Sequence, residues 1–323
     1  EQKLTLDDTV DFFKSSQDFL FKLRKDHHTA ERSIESKLPI VLLLAGDLHL
    51  GSVQTDYDAF REMVDFVKET PGAYVIFNGD LVDNFDSLSG KLMKAGIDSQ
   101  LVPPAAQREV YDALIDELGD RILSVTIGDH EEFSMIDGFL NAGRRNKIPI
   151  GLNRITLNLK VNNSWGIKIA VIHKANGYSH TNPNHANRRE QHAHYPDADV
   201  VVVGHTHTPA IQTLSHPKDG ELREVIFVQT GSFKSADAYS YKYFTPHVSS
   251  RFAVHGLVLM PDSSTIQPAF GMKNVKTVFN RLWIERYKWH KEDEEMMLAS
   301  GRAVRMPDGR VLWTGRRMDE VHE

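Results

Sequence analysis

Residues Ala198–Pro209 read A-D-V-V-V-V-G-H-T-H-T-P. Four consecutive valines leave no polar face for solvent. Such a run requires a strand buried on both sides, in a sheet that is covered above and below. Gly204 ends the run, and His205 and His207 follow on the turn. Two imidazoles two residues apart, just past a buried strand, form a common seat for a metal ion. An ordinary polar turn can also carry two histidines, so the ends of the other strands decide between these readings.

Those strands come early in the chain. Pro39–Ala45 is an apolar strand, and Asp56–Glu69 is an amphipathic helix with Phe60, Met63, Val64 and Val67 on one face. Ala73–Phe77 is a second strand, Ala105–Leu118 a helix and Ile122–Ile127 a third strand. This βαβαβ order predicts an α/β sheet with ligands at the carboxyl ends of its strands. After residue 150 the pattern turns to strands. Ile155–Val161 and Ile167–Ile172 form a hairpin around Asn162, Asn163 and Gly166, and Glu224–Gln229 and Phe252–Met260 follow. A second sheet stacked on the first accommodates them.

Residues 1–36 read as an N-terminal helical extension. Asp7 or Asp8 caps a helix that packs Val10, Phe13, Phe19, Leu20 and Leu23 on the main domain, and Lys25–Lys37 is a charged linker. Residues 37–272 form the main domain. Residues 273–323 form a basic and aromatic extension carrying Trp283, Arg286, Tyr287, Lys288 and Trp289, with a small hairpin over Met306–Arg317. These aromatic and basic residues either meet a nucleic acid or pack on the sandwich.

Composition narrows the chemistry. The chain has no cysteine, so any metal is held by histidine and by carboxylate or amide oxygen. This ligand set favours Mn, Fe, Zn, Ni or Mg. Absence of cysteine also fits a cytoplasmic protein. No apolar run approaches the roughly 20 residues of a membrane span. The apolar fraction of 41% and charged fraction of 25% are those of a globular protein. A net charge of -6 is not the bulk signature of a nucleic-acid binder, though it leaves room for a local basic patch.

Possible ligands recur at strand ends. The first strand ends in Asp47 and His49, the second in Asp80 and Asp83, the third in Asp129, His130 and Glu131. Ile167–Ile172 ends at His173, and the valine strand at His205 and His207. Any one aspartate could merely cap the next helix. Five successive coincidences are not explained by capping.

The order and spacing resemble the calcineurin-like metallophosphoesterase superfamily, whose pattern is D-x-H, G-D-x-x-D, G-N-H-E/D, a lone His and G-H-x-H. Here these stand as Asp47-Leu48-His49, Gly79-Asp80-Leu81-Val82-Asp83, Gly128-Asp129-His130-Glu131, His173, and Gly204-His205-Thr206-His207. The resemblance spans about residues 41–209. It implies an α/β fold, a two-sheet sandwich flanked by helices, and two divalent metal ions, with Mn the first choice. It further implies hydrolysis of a phosphoester substrate by a metal-bridging hydroxide. Asp80 would bridge the ions, with Asp47, His49 and His207 on the first and His173, His205 and Asp129 on the second. His130 would serve the leaving oxygen as acid or charge stabiliser, and Asp83 would orient His130. A helix cap is the alternative for Asp83.

Two positions depart from the family pattern. Asp129 stands where the pattern has Asn, as a natural variant or an engineered substitution. It adds a negative charge, which predicts tighter metal binding and a weaker pull on an anionic phosphate. Asp129→Asn is then expected to preserve or raise activity. Asn84 stands where many members have a phosphate-meeting Arg. Asn can still donate to substrate but brings no charge, which favours a phosphodiester, in a nucleic acid or nucleotide, over a monoester. The alternatives are a phosphomonoesterase or protein phosphatase, and a binding module that keeps the fold without turnover. The loop Lys174–Pro196 offers His180, Arg188 and Arg189 to substrate, unless Asn184–His194 is an ordinary surface helix. The segment Gln229–Tyr243, with Lys234, either rims the site or packs as a loop.

Overall fold

Along the valine strand, alternate side chains face opposite ways. Val200 and Val202 join an apolar layer with Ile40, Leu42 and Leu44, while Val201 and Val203 join another with Ile172 and Phe227. The first layer is the seam between two stacked sheets. The computed structural model describes residues 29–85, 97, 99–133, 136–177, 179, 181–218, 221–235, 250–299, 303–305 and 311–313, with scattered positions before residue 18.

Fourteen strands are defined among the described residues: β1 (Thr29–Ile34), β2 (Ile40–Ala45), β3 (Ala73–Asn78), β4 (Ile122–Ile127), β5 (Ile150–Leu152), β6 (Arg154–Val161), β7 (Trp165–Ile172), β8 (Val200–Val203), β9 (Ala210–Lys218), β10 (Glu221–Gln229), β11 (His255–Leu259), β12 (Ile266–Phe270), β13 (Ala303–Arg305) and β14 (Val311–Trp313). One sheet has the order β1-β6-β7-β8-β10-β9, the other β12-β11-β2-β3-β4-β5. In the second, β2, β3, β4 and β5 run parallel. In the first, β7, β8 and β10 run parallel. Four parallel strands of one sheet and three of the other thus bring their carboxyl ends to one edge of the sandwich.

The helices are α1 (Tyr57–Glu69), α2 (Pro104–Leu118), the single turn α3 (Asp129–Glu132), α4 (Ile136–Asn146), α5 (His185–His194) and α6 (Met272–Ala299). Met63 and Val67 of α1, Tyr111 and Ile115 of α2, Phe139 of α4 and Phe279 of α6 bury themselves with Val41, Leu43, Val75 and Phe77 on the outer face of the β2–β5 sheet. Asp56 caps α1 by accepting from Ala59 N at 2.9 Å. The outer face of the other sheet is covered at β8 and β10 by α5, where Asn187 Nδ2 donates to the carbonyls of Val201 and Val228.

The architecture is the expected two-sheet sandwich flanked by helices. Two expectations fail locally. The segment expected as a linker carries β1, which pairs in parallel with β6 over its whole length. Thr29–Ile34 alternates exposed and half-buried positions and buries only Ile34 fully, so its strand signal is faint. Val10 and Phe13 are helical, but 38% and 62% exposed, so neither is buried as expected. Phe19, Leu20 and Leu23 lie outside the described residues. Residues 273–299 continue α6, whose Val275 and Phe279 belong to the core, with Trp283 packed against it. Arg286 pairs with Asp262 at 2.9 Å. β13 and β14 pair antiparallel at the expected hairpin, whose Pro307-Asp308-Gly309 turn lies outside the described residues.

Candidate metal centre

The turns at the sandwich edge hold an unusual backbone. Asp47, His49, Asp80, Asn84, His205 and His207 all have positive φ, between 43° and 68°. This conformation costs a non-glycine residue about 1 kcal/mol or more, and persists where surrounding contacts over-determine it. Here Asp47 N donates to Gly79 O at 2.9 Å and His49 N to Asp80 O at 3.0 Å, while Phe233 N and Ser232 Oγ donate to Asp47 O. The turns are also too close for side chains at two glycines. A Cβ on Gly79 would lie 2.5 Å from His173 Nδ1, and one on Gly128 2.2 Å from Asp80 Oδ1.

Three groups of candidate ligands result: Asp47, His49 and His207; Asp80, His173 and His205; and His49, Asp83 and His130, which shares His49 with the first. Within each, the ligand atoms lie within 4.8 Å of one another. Two histidines present Nε2 inward because Nδ1–H is bonded to a main-chain carbonyl, and in a third, His49, Nδ1 lies near a carboxylate without an aligned hydrogen bond. His173 Nδ1 donates to Asn78 O at 2.8 Å, His130 Nδ1 to Asp83 O at 2.6 Å, and His49 Nδ1 faces the Asp83 carboxylate at 3.2 Å. A ring nitrogen facing a carbonyl must carry the proton, which fixes the tautomer. His49 Nε2 then lies 3.1 Å from His207 Nε2, and His173 Nε2 3.1 Å from Asp80 Oδ2.

The electrostatics differ within the cluster. Burial, with His130 nearby, pushes His49 down to about 4, so it stays neutral and ready to ligate. Burial also lowers His205. At His173 burial opposes charge, but the Asp80 carboxylate prevails and raises it to about 10. Asp80 is correspondingly held well below the usual carboxylate range, against its burial, by His173 and His130. A cation held by His173 and Asp80 would take the place of the His173 proton.

The residues fit divalent cations. Asp47 Oδ1 and His173 Nε2 are buried without an aligned hydrogen-bond partner, each facing a member of its own group: His207 Nε2 at 3.2 Å and Asp80 Oδ2 at 3.1 Å. Imidazole nitrogen with carboxylate oxygen suits borderline divalent ions. Asp129 stands slightly apart. Its Oδ2 is 3.8 Å from His205 Nδ1 and is ion-paired to Lys174 Nζ.

Several expected roles change. The Asp83 carboxylate does not orient His130; its main-chain carbonyl does. The carboxylate instead lies between His49 Nδ1 and the buried Lys234 Nζ, 2.8 Å away. Asn84, expected at the substrate, is fully buried, and its Nδ2 donates to His130 O at 2.7 Å. Glu131, counted among possible ligands, is a staple. Its carboxylate accepts from the N–H groups of Asp80, Leu81, Val82 and Gly128. Burial and the Asp80 carboxylate push Glu131 up to about 7, while the Gly128 N–H pulls it the other way. Arg188 and Arg189 are exposed on α5, the helix that was the alternative reading of this loop. His180 lies outside the described residues. Sequence reasoning gave no partner to Lys174 or Lys234; each sits next to a motif or strand end, which was the available signal.

His130 is 15% exposed, with Nε2 4.0 Å from Asp80 Oδ2. Two aromatic rings flank it, Phe85 at 4.8 Å and Phe133 at 5.1 Å between centroids, and these two stack at 5.7 Å.

A family model described as calcineurin-like phosphoesterase matches residues 40–209, more than half of the chain. The chain belongs to the calcineurin-like phosphoesterase family. The matched span holds every residue of the three ligand groups. No curated protein matches the chain in sequence. Among solved structures, vacuolar protein sorting 29 from Cryptosporidium parvum is similar at 17% identity and a TM-score of 0.38, covering 72% of this chain and 97% of that one. A metallophosphoesterase from Sphaerobacter thermophilus is similar at 14% identity and a TM-score of 0.32, covering 75% and 93%. Among the described residues no helix is long and apolar enough to cross a membrane.

Proposed function

We propose that this family member hydrolyses a phosphodiester, in a nucleic acid or a nucleotide, with two divalent cations. The observation that carries the reading is the pair of adjoining ligand groups, Asp47/His49/His207 and Asp80/His173/His205, with inward-facing Nε2 atoms on His49 and His173. Asp47, His49 and His207 would hold the first cation. His173, His205 and Asp129 would hold the second, and Asp80 would touch both. Mn is the first choice, and Fe, Zn, Ni and Mg suit the same donors. When bound, such a pair supplies Lewis-acid polarisation of the phosphoryl group and activation of water.

The chain's own residues do the rest. His130 stands beside Asp80 with its Nδ1 proton committed to Asp83 O, so only Nε2 is available to the leaving oxygen, as proton donor or charge stabiliser. Asn84 and Asp83 O grip the backbone and ring of His130 from below. The diester preference rests on charge. Position 84 supplies no guanidinium, and a monoester with about two charges usually calls for one. The Phe85–Phe133 pair beside His130 offers a face on which a planar base or aryl group can stack.

The test strips the protein with chelator, restores Mn and compares bis-p-nitrophenyl phosphate with p-nitrophenyl phosphate. The diester is expected to turn over faster. Preference for the monoester overturns the diester reading. Binding of Mn without hydrolysis of either ester, or of DNA, RNA and cyclic nucleotides, favours the second reading, a non-catalytic binding module. The engagement of Asp129 by Lys174 is the observation that speaks for that alternative.

A further inference from the structure

Asp129 brings a negative charge to a position where the family pattern has a neutral amide, and the same turn region brings a positive one. Lys174 directly follows His173. Its backbone is bracketed by Asn153: Lys174 N donates to Asn153 Oδ1 at 2.9 Å, Asn153 Nδ2 donates to Lys174 O at 3.3 Å, and His173 N donates to Asn153 O at 2.7 Å. Asn153 itself has a positive φ of 59°. The bracket fixes where the lysine side chain starts, and its ammonium reaches the Asp129 oxygen that faces His205. Formal charges of -1 and +1 sum to zero, the charge of the missing amide.

We propose that Lys174 is a counter-charge built into the second cation position: it neutralises Asp129, competes with the incoming cation for Oδ2, and makes this position the weaker and later one to fill. The inference rests on the reading that the cluster holds two cations. It differs from the sequence-level expectation for Asp129. In the presence of Lys174, Asp129→Asn leaves an unpaired ammonium beside the second cation, so affinity falls instead of merely easing.

Isothermal titration of the metal-stripped protein with Mn tests this without reference to activity. The native chain should take up two ions in distinguishable steps. Lys174→Met should strengthen the weaker step by about tenfold and leave the stronger within about threefold. Asp129→Asn should weaken the weaker step by about tenfold or more, and Asp129→Asn with Lys174→Met should return it to within about threefold of the native chain. The two opposite effects should cancel in the double variant, as removal of a positive and a negative charge from one position does. Lys174→Arg, which keeps the charge, should stay near the native value. Both side chains are half-exposed, so folding should survive, and unchanged circular dichroism melting checks that it does. If two ions bind but Lys174→Met alters neither step, or if the double variant stays as weak as Asp129→Asn alone, the counter-charge inference is overturned and the two-cation reading stands. If the native chain takes up fewer than two ions, the two-cation reading itself fails.

Discussion

Two lysine–aspartate pairs flank the centre, and they are built in opposite ways. Lys234 and Asp83 are 5% and 0% exposed, and their pair stands behind His49. Lys174 and Asp129 are 50% and 32% exposed, and their pair stands beside His205. In the first, the carboxylate is paired with lysine inside the protein and lies 3.2 Å from His49 Nδ1, steadying that ligand from behind. In the second, the carboxylate is itself a candidate ligand and lysine holds it from the solvent side. A buried ion pair is costly to break and rigid, whereas an exposed one is weak and exchanges with other ions. The contrast separates a strut that fixes geometry from a charge that can be traded for a cation.

The largest expected effect breaks the strut. Lys234→Met leaves the Asp83 carboxylate buried without its cation and should destabilise the fold by about 3–5 kcal/mol in chemical denaturation; a loss under 1 kcal/mol would show that the pair is not structural. Asp83→Asn keeps the volume but weakens the hold on His49 Nδ1–H. Mn affinity at the stronger step should fall by about 10–100-fold, with the weaker step nearly unmoved. Equal loss at both steps would erase the distinction between the halves.

A third test uses pH. His255 is fully buried, donates from Nε2 to Gln229 O and accepts from Gly271 N at Nδ1, under the strand that leads to Lys234. Burial pushes it down from the ordinary 6.5 to about 4. With a depressed folded value, its contribution is complete above pH 6.5 and is lost as pH falls towards 4. Stability should therefore drop by about 2 kcal/mol between pH 6.5 and 5, a slope that His255→Gln should flatten. The smallest effect belongs to the exposed pair. Lys174→Met should change unfolding stability by less than about 0.5 kcal/mol while altering metal uptake; a large stability loss would make it a second strut.

The parts of the molecule legible in sequence are those where periodicity and burial coincide. β2, β3, β4, β7 and β8 are apolar because both faces are covered, and each ended where a Gly, Asp or His followed. The ligand set could be named for the same reason, since strand ends in a parallel sheet converge. What could not be read is the direction of each side chain past the strand end. Asp83 lies 47 residues from His130 in sequence, and positive-φ turns, not spacing, decide that its carbonyl meets His130 while its carboxylate meets His49. Glu131 looked like one more ligand because nothing local reveals that four N–H groups of two turns converge on it. Lys234 is 151 residues from Asp83, and no pattern links such a pair. β1 is faint in sequence because an edge strand with one fully buried residue shows little apolar contrast between its faces.

The Asp47/His49/His207 and Asp80/His173/His205 groups each draw on both sheets. Asp47 and His49 follow β2 and His207 follows β8; Asp80 follows β3, while His173 and His205 follow β7 and β8. The apolar seam holds the two layers together along their length, but at this edge polar turns replace it. A cation held by either group therefore acts as a clasp across the layers, and whatever the protein gains by binding ions it gains in resistance to their separation. Removal of metal should loosen this edge first: amide exchange in the Asp47–His49 and His205–His207 turns should quicken on chelation, while β6 and β11 stay protected.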